Sequence, residues 1–278
     1  MGRREGSRAR AASSGSSGRQ LSAGRWGRID VVTDATERAT GEARRPIDGR
    51  ALALISTLGA VGFIVAMVIA AWLYPGGTWA RPRAIGHSLW GNYLCDLMQL
   101  RARNGAPTPV GSLVARVGTV LMFAAIASFY VQVARLERAA SWLARVTVGF
   151  GLPGSAIGCV IPLTPSDQFP VAHAVVVVSA FLPSFVAVLG AAVICLRTAT
   201  TTRAVKLMAL VTLIFGGLDG LLYILAYVSF WLGYLPPRDV QLKINDLLPA
   251  LQRVGTIGMV AWVLAVARAR AETSGVKV

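Results

Sequence analysis

The sequence predicts an all-α integral membrane protein, a bundle of six transmembrane helices with a short amphipathic helix in its first outer loop. Three observations carry that prediction. The chain of 278 residues is 54% hydrophobic and only 15% charged. Its apolar residues gather into six stretches of roughly 20 residues, the length that crosses a hydrocarbon core of about 30 Å. Its positive charges, 28 Lys+Arg against 13 Asp+Glu for a net +15, lie between those stretches rather than on one basic surface. That placement excludes nucleic acid as the partner and makes the lipid bilayer the first one. The same composition excludes a collagen-like fibre, a wholly disordered chain and an ordinary soluble domain.

Residues 1–49 read as a disordered basic cytoplasmic tail, because Arg, Ser, Gly and Ala without apolar periodicity cannot bury enough surface to offset ordering entropy. With Arg50 the stretch holds 11 Arg against 6 acids, too long and too evenly charged for a signal peptide. The membrane domain is expected over 50–270 and a cytoplasmic C-terminal tail over 271–278. Span one is 51–73, a run of 23 residues without a charge, about 34 Å long as a helix. Spans two to six are expected at 110–134, 146–163, 169–196, 207–235 and 247–267. The glycines of span three (Gly149, Gly151, Gly154 and Gly158, with Pro153 among them) are expected to mark a packing face rather than a break, since small residues let helices approach closely in lipid. No internal repeat of the inverted-repeat kind is visible.

Charge sets the orientation. Arg135, Arg138, Arg145, Arg197, Arg203, Lys206, Arg268, Arg270 and Lys277 join the tail arginines on one side, 20 in all. Arg81, Arg83, Arg101, Arg103, Arg238 and Lys243, six in all, fall on the other. The positive-inside rule reads this as a multi-pass cell-membrane protein with both termini cytoplasmic. The 25 Arg to 3 Lys is the usage of a GC-rich bacterial gene. Cys95, Cys159 and Cys195 are too few and too scattered for a disulfide framework or a metal cluster, so no metal and no cofactor are expected.

Chemistry concentrates in the outer loops. In the first, Ile85, Leu89, Tyr93 and Leu97 recur every four residues, and Ser88, Asn92 and Asp96 form a second stripe at the same spacing. The spacing predicts an amphipathic helix over 85–100, either an aromatic-rich interfacial anchor or a lid that presents its polar stripe to the bundle. The connection PLTPSDQFPVAH puts Asp167 at the outer surface and His173 about one turn into span four. Ionisable groups within spans are costly, so they are functional candidates. His173, Asp96 and Ser88 are the candidate catalytic set, and Asn92, Asp167 and Trp90 the candidate ligand-binding set. Inside the spans, Asp219 is expected about 18 Å from its cytoplasmic end, with Arg253 and Arg116 each about 9 Å from the outer end. These depths allow a buried Asp219–Arg253 pair, or Asp219–Arg116. The alternative is arginines that snorkel outward above a protonated Asp219.

The run YPGG followed by HSLWGNYLCDL, then IPLTPSD with His173, then LQRVGTIGMVAW in the last span, resembles the prokaryotic six-span family filed as domain of unknown function 998. That family is distantly similar to the DRAM autophagy modulators and the factor that remodels GPI lipids. The resemblance covers residues 50–270 and implies a six-span fold in a membrane, with a leaning toward lipid.

Three functions are compatible with these residues. The first is a bundle whose outer face binds or organises a lipid headgroup or a membrane partner. The second is an intramembrane lipid hydrolase or acyltransferase using Ser88 or Asp96 near His173. The chain has only His87 and His173, one short of a three-histidine zinc site, and no G-x-S-x-G elbow. The third is a small-solute transporter through Asp219, Arg116 and Arg253, for which no second intramembrane acid is present. For orientation, a fluorescent-protein fusion after Val278 is expected to glow and a phosphatase fusion at the same point to be inactive; the reverse pattern inverts the topology.

Overall fold

A computed structural model describes residues 48–137, 141–231, 233 and 237–273. The expected tail at 1–49 therefore lies almost wholly outside the described residues, as does most of the C-terminal tail. The bundle comprises α1 (Gly49–Trp72), α2 (Pro109–Ala134), α3 (Trp142–Gly158), α4 (Pro170–Arg197), α5 (Arg203–Val211), α6 (Gly217–Trp231) and α7 (Arg238–Thr273). A π-helical turn, Thr212–Gly216, joins α5 to α6 into one crossing. Six helical stretches are long and apolar enough to cross a membrane. Among the described residues there is no strand, only isolated bridges such as Gly76 with Ile85. A multi-pass helical membrane architecture follows.

The helix starts follow from local chemistry. Asp48 caps α1, its side chain accepting from Arg50 N at 3.0 Å. Pro109 and Pro170 open α2 and α4, where a missing N–H costs nothing. Thr202 caps α5 by accepting from Val205 N at 3.3 Å. Large apolar side chains such as Leu58, Val68, Leu113 and Leu221 are exposed around the bundle, as a surface solvated by lipid tails requires.

Small residues and aromatics build the interior. α3 runs unbroken through its glycines and Pro153; Gly151, Gly154 and Gly158 form a contact face, while Gly149, expected with them, faces open space. A Cβ on Gly154 would lie 2.9 Å from Ser184 N on α4, and one on Gly151 or Gly158 would enter the Tyr130 or Phe123 ring of α2. Trp262 of α7 is fully buried against Phe129, with ring centroids 4.8 Å apart. Toward the other end of the bundle, Gln132 Nε2 donates to Ser56 Oγ at 2.7 Å, Ser128 Oγ donates to Leu52 O at 2.7 Å and Arg270 Nη2 donates to Gln132 O at 3.1 Å, tying α1, α2 and α7.

The helix expected over 85–100 is not there. The chain makes one turn at Ser88–Asn92, with Asn92 N donating to Ser88 O at 3.1 Å, and a single 3-10 segment, Leu94–Met98. Ile85, expected on the apolar stripe of that helix, is 99% exposed. The reason is polar competition. Asn92 Oδ1 takes Ser88 N at 2.9 Å and Asp96 Oδ2 takes Tyr93 N at 3.0 Å, closing local turns in place of a helix ladder. Gly77 fixes the entry with φ +90°, where a Cβ would lie 2.7 Å from Arg103 C. The four-residue spacing is real, but a side-chain bond from Asn92 Nδ2 to Asp96 Oδ2 at 3.1 Å uses it.

Gly154→Leu should lower the yield of folded protein sharply, since overpacking costs about 1–3 kcal/mol or more where backbone is the obstacle. Gly149→Leu, at a position with nothing within 4 Å, should leave the yield near wild type. Fluorescence-detected size exclusion of both variants checks the contrast, and equal losses would refute the assigned packing face.

Candidate functional site

The α1–α2 connection plunges into its end of the bundle. Asn92, Asp96, Leu97 and Met98 on it are buried. Arg116, seven residues into α2 and so about 10 Å below its start, donates Nε to Met98 O at 3.1 Å, and Ser112 Oγ donates to the same carbonyl at 2.7 Å. From α7, buried Arg253 donates Nε to Leu89 O at 3.0 Å and Nη2 to Asn92 O at 2.9 Å, with His87 Nε2 at 3.3 Å from the same nitrogen. Gln252 Oε1 accepts from Leu94 N at 2.7 Å.

The expected Asp219–Arg253 and Asp219–Arg116 pairs do not form. Both guanidiniums are turned to loop carbonyls, which depth arithmetic along the helices had no way to place between the charges. The ion pair made instead is Arg103–Asp96, with Nη2 to Oδ1 at 2.8 Å and Nε to the same oxygen at 2.9 Å. Asp96 is fully buried and also accepts from Gln99 Nε2 at 3.2 Å, besides Asn92 Nδ2 and Tyr93 N. Five donors on one carboxylate offset the cost of burying it.

Beside this ion pair lies a cavity of about 300 Å³ between the loop, α4, α6 and α7. Its polar lining includes Asp96, Arg103, Ser166, His173, Asp219 and Gln252. Its apolar lining includes Val177, Val178 and Phe181 of α4, Ile224 of α6 and Leu248 of α7. Trp79, half-exposed, lies under the Arg103 guanidinium at 4.2 Å from its ring centroid. His173 is buried and its Nδ1 lies 2.7 Å from Thr164 O. A carbonyl only accepts, so Nδ1 carries the proton and Nε2 keeps its lone pair. Asp219 has no hydrogen-bond or ion-pair partner among the described residues.

Of the candidate residues, the structure brings His173 and Asp96 together in the cavity and adds Asp219. Ser88 and Trp90 are not in its lining; Ser88 Oγ accepts from Gly91 N at 3.1 Å, and Trp90 is exposed. Asn92 and Asp167 act from behind. Asn92 Nδ2 also donates to Gly77 O at 2.8 Å, and Asp167 Oδ2 accepts from Leu100 N at 3.0 Å and Arg101 N at 3.1 Å, latching the two loops. Trp79, Arg103, Ser166 and Gln252 were missed. Gln252 had a signal, a second polar residue beside Arg253 in an apolar span, and Ser166 adjoins Asp167. Arg103 and Trp79 had none. Among the described residues, no three His, Cys, Asp or Glu side chains are grouped as metal ligands.

Electrostatics in the loop follow burial. Desolvation pushes the Tyr74 hydroxyl up to about 12. The Cys95 thiol, desolvated and beside Asp96 and Asp219, is also pushed up to about 12, so it stays a neutral thiol. Tyr93 is raised by burial and by Asp219 next. His87 is lowered from 6.5 to about 4, by burial first and by the Arg253 charge second.

His87 gives the site a pH dependence. Between pH 6.5 and about 4 the unfolded chain takes up a proton that the folded loop refuses. Stability is therefore full above pH 6.5 and falls as the pH drops toward 4. Thermal unfolding in detergent from pH 7.5 to 4 should show this slope and His87→Gln should flatten it; an unchanged slope in the variant would remove His87 as its source.

No family model, curated protein or solved structure matches the chain, so the function is argued from this cavity.

Proposed function

We propose that the protein binds the headgroup of a membrane lipid in the cavity between the α1–α2 loop, α4, α6 and α7. The observation that carries this reading is the mixed lining of the cavity. Val177, Val178, Phe181, Ile224 and Leu248 line the same space as the polar and charged groups Asp96, Arg103, Ser166 and His173, the two kinds of surface that the junction between headgroup and chain needs. A volume near 300 Å³ is at the lower end of ligand pockets, which run from about 300 to 1,000 Å³. It suits a headgroup and the first methylenes of a chain, not a whole lipid. The positive-inside count supports an orientation with this end of the bundle at the outer leaflet of the cell membrane and both termini cytoplasmic. The resemblance to the prokaryotic six-span family supports lipid over a soluble ligand.

A second reading, hydrolysis of a lipid or acyl transfer to it, rests on one feature. His173 keeps Nε2 as a proton acceptor in the same cavity as the Ser166 hydroxyl.

Each reading has its own measurement. Native mass spectrometry of the full chain purified in mild detergent should find retained lipid, and Val178→Trp, which fills the cavity, should cut retention by about an order of magnitude. Unchanged retention in Val178→Trp would overturn the binding site. If membranes carrying wild type and His173→Ala show the same lipid profile, the chemical reading falls and binding remains.

A further inference from the structure

We propose that the headgroup taken by this cavity carries an ammonium group and that Asp219 is its counter-ion, an inference that rests on the headgroup reading above. The charges lining the cavity nearly cancel. Asp96 is matched by Arg103 at 2.8 Å, and its other oxygen is held by Asn92 and Tyr93 N. Asp219 is left over, half-buried on the cavity wall, with no partner among the described residues. An acid within a span is costly and persists where a partner or ligand meets it. Here Arg253 and Arg116, the cations within reach by depth, direct Nε, and for Arg253 also Nη2, to loop carbonyls, and neither bonds Asp219.

The surroundings of Asp219 have the chemistry of an ammonium site. Tyr223 lies one turn further along α6, four residues on and so on the same face. The Phe181 ring packs directly on Gly220, the residue after Asp219, where any Cβ would collide with it. Tyr93 is near enough that Asp219 is the leading charge acting on its hydroxyl. All three rings line the cavity. A carboxylate among aromatic faces attracts an alkylammonium by charge and by cation–π contact. Nearby His173 Nε2 adds an acceptor, which an N–H donor satisfies. The matching anion of a zwitterionic headgroup finds donors in the Ser166 hydroxyl and the Gln252 amide, whose oxygen is already used by Leu94 N.

The full chain in detergent is offered equal amounts of dilauroyl phosphatidylethanolamine, phosphatidylcholine and phosphatidylglycerol, and retained lipid is counted by native mass spectrometry. Wild type should keep an ammonium lipid over phosphatidylglycerol by about tenfold, the order expected of one charge-assisted contact. Asp219→Asn should bring the ratio to about one while still retaining phosphatidylglycerol, and Asp219→Glu should keep the preference. Equal retention of the three lipids by wild type, with Val178→Trp still lowering all three by about an order of magnitude, overturns the ammonium inference and leaves the cavity reading standing. An undiminished preference in Asp219→Asn also overturns it. Indifference to Val178→Trp removes the cavity reading and this inference together. Free ethanolamine or choline that binds wild type as tightly as the lipid, and not Asp219→Asn, supports the ammonium site and overturns the lipid as its source.

Discussion

An irregular backbone buried at the level of membrane helices is tolerated only where its N–H and C=O groups find partners inside the protein. The α1–α2 loop is held on those terms. Arg253 and Arg116 supply donors to the carbonyls of Leu89, Asn92 and Met98, while Asp96 and Asp167 supply acceptors to the N–H groups of Tyr93, Leu100 and Arg101. Placing an arginine at mid-membrane costs about 2.5–3.5 kcal/mol on insertion scales. Hydrogen bonds to a charged group each return about 1.5–3 kcal/mol, and Arg253 makes two to carbonyls. The two arginines within the spans therefore belong to the loop, and the loop lines the cavity beside them.

The six crossings were legible because bilayer thickness imposes one length on every apolar run, a constraint written locally in the sequence. The glycine face of α3 was legible for a related reason, since small residues have little other use in lipid. The path of the first loop was not. Its hydrophobic stripe has helical spacing, yet Asn92 and Asp96 spend that spacing on each other and on backbone N–H groups, and only the tertiary fold shows which competitor prevails. The Asp219–Arg253 pairing failed likewise, because a depth along a helix is one coordinate and says nothing of a third segment lying between. His173 and Asp96 were found, since each is an isolated polar group where apolar residues dominate; Arg103 and Trp79 look like ordinary loop residues until the chain is folded.

The bundle holds its elements unevenly. In the most apolar window of the sixth crossing, 56% is buried, against 17% in the fifth. The fifth carries Asp219 and meets α4 through Phe181 and Phe185, stacked 5.5 Å apart, with Gly217 and Gly220 beneath the two rings. A wall with so few buried apolar contacts is where local opening costs least. The rigid side of the cavity is thus the loop with α7, and the compliant side is α6.

The π turn Thr212–Gly216 sits where the fifth crossing meets Gly255 and Gly258 of α7, whose missing side chains leave room for Phe215, Gly216 and Thr212. Each hydrogen bond in such a turn encloses one residue more than an α-helical bond does. A single added residue advances everything beyond it by about 100° around the axis. α6 therefore presents a different azimuth from the one α5 would dictate if simply extended. By helical phase the carboxylate three residues past the turn takes its bearing from this offset, and a one-residue deletion there would swing it around the axis by more than a quarter of a revolution.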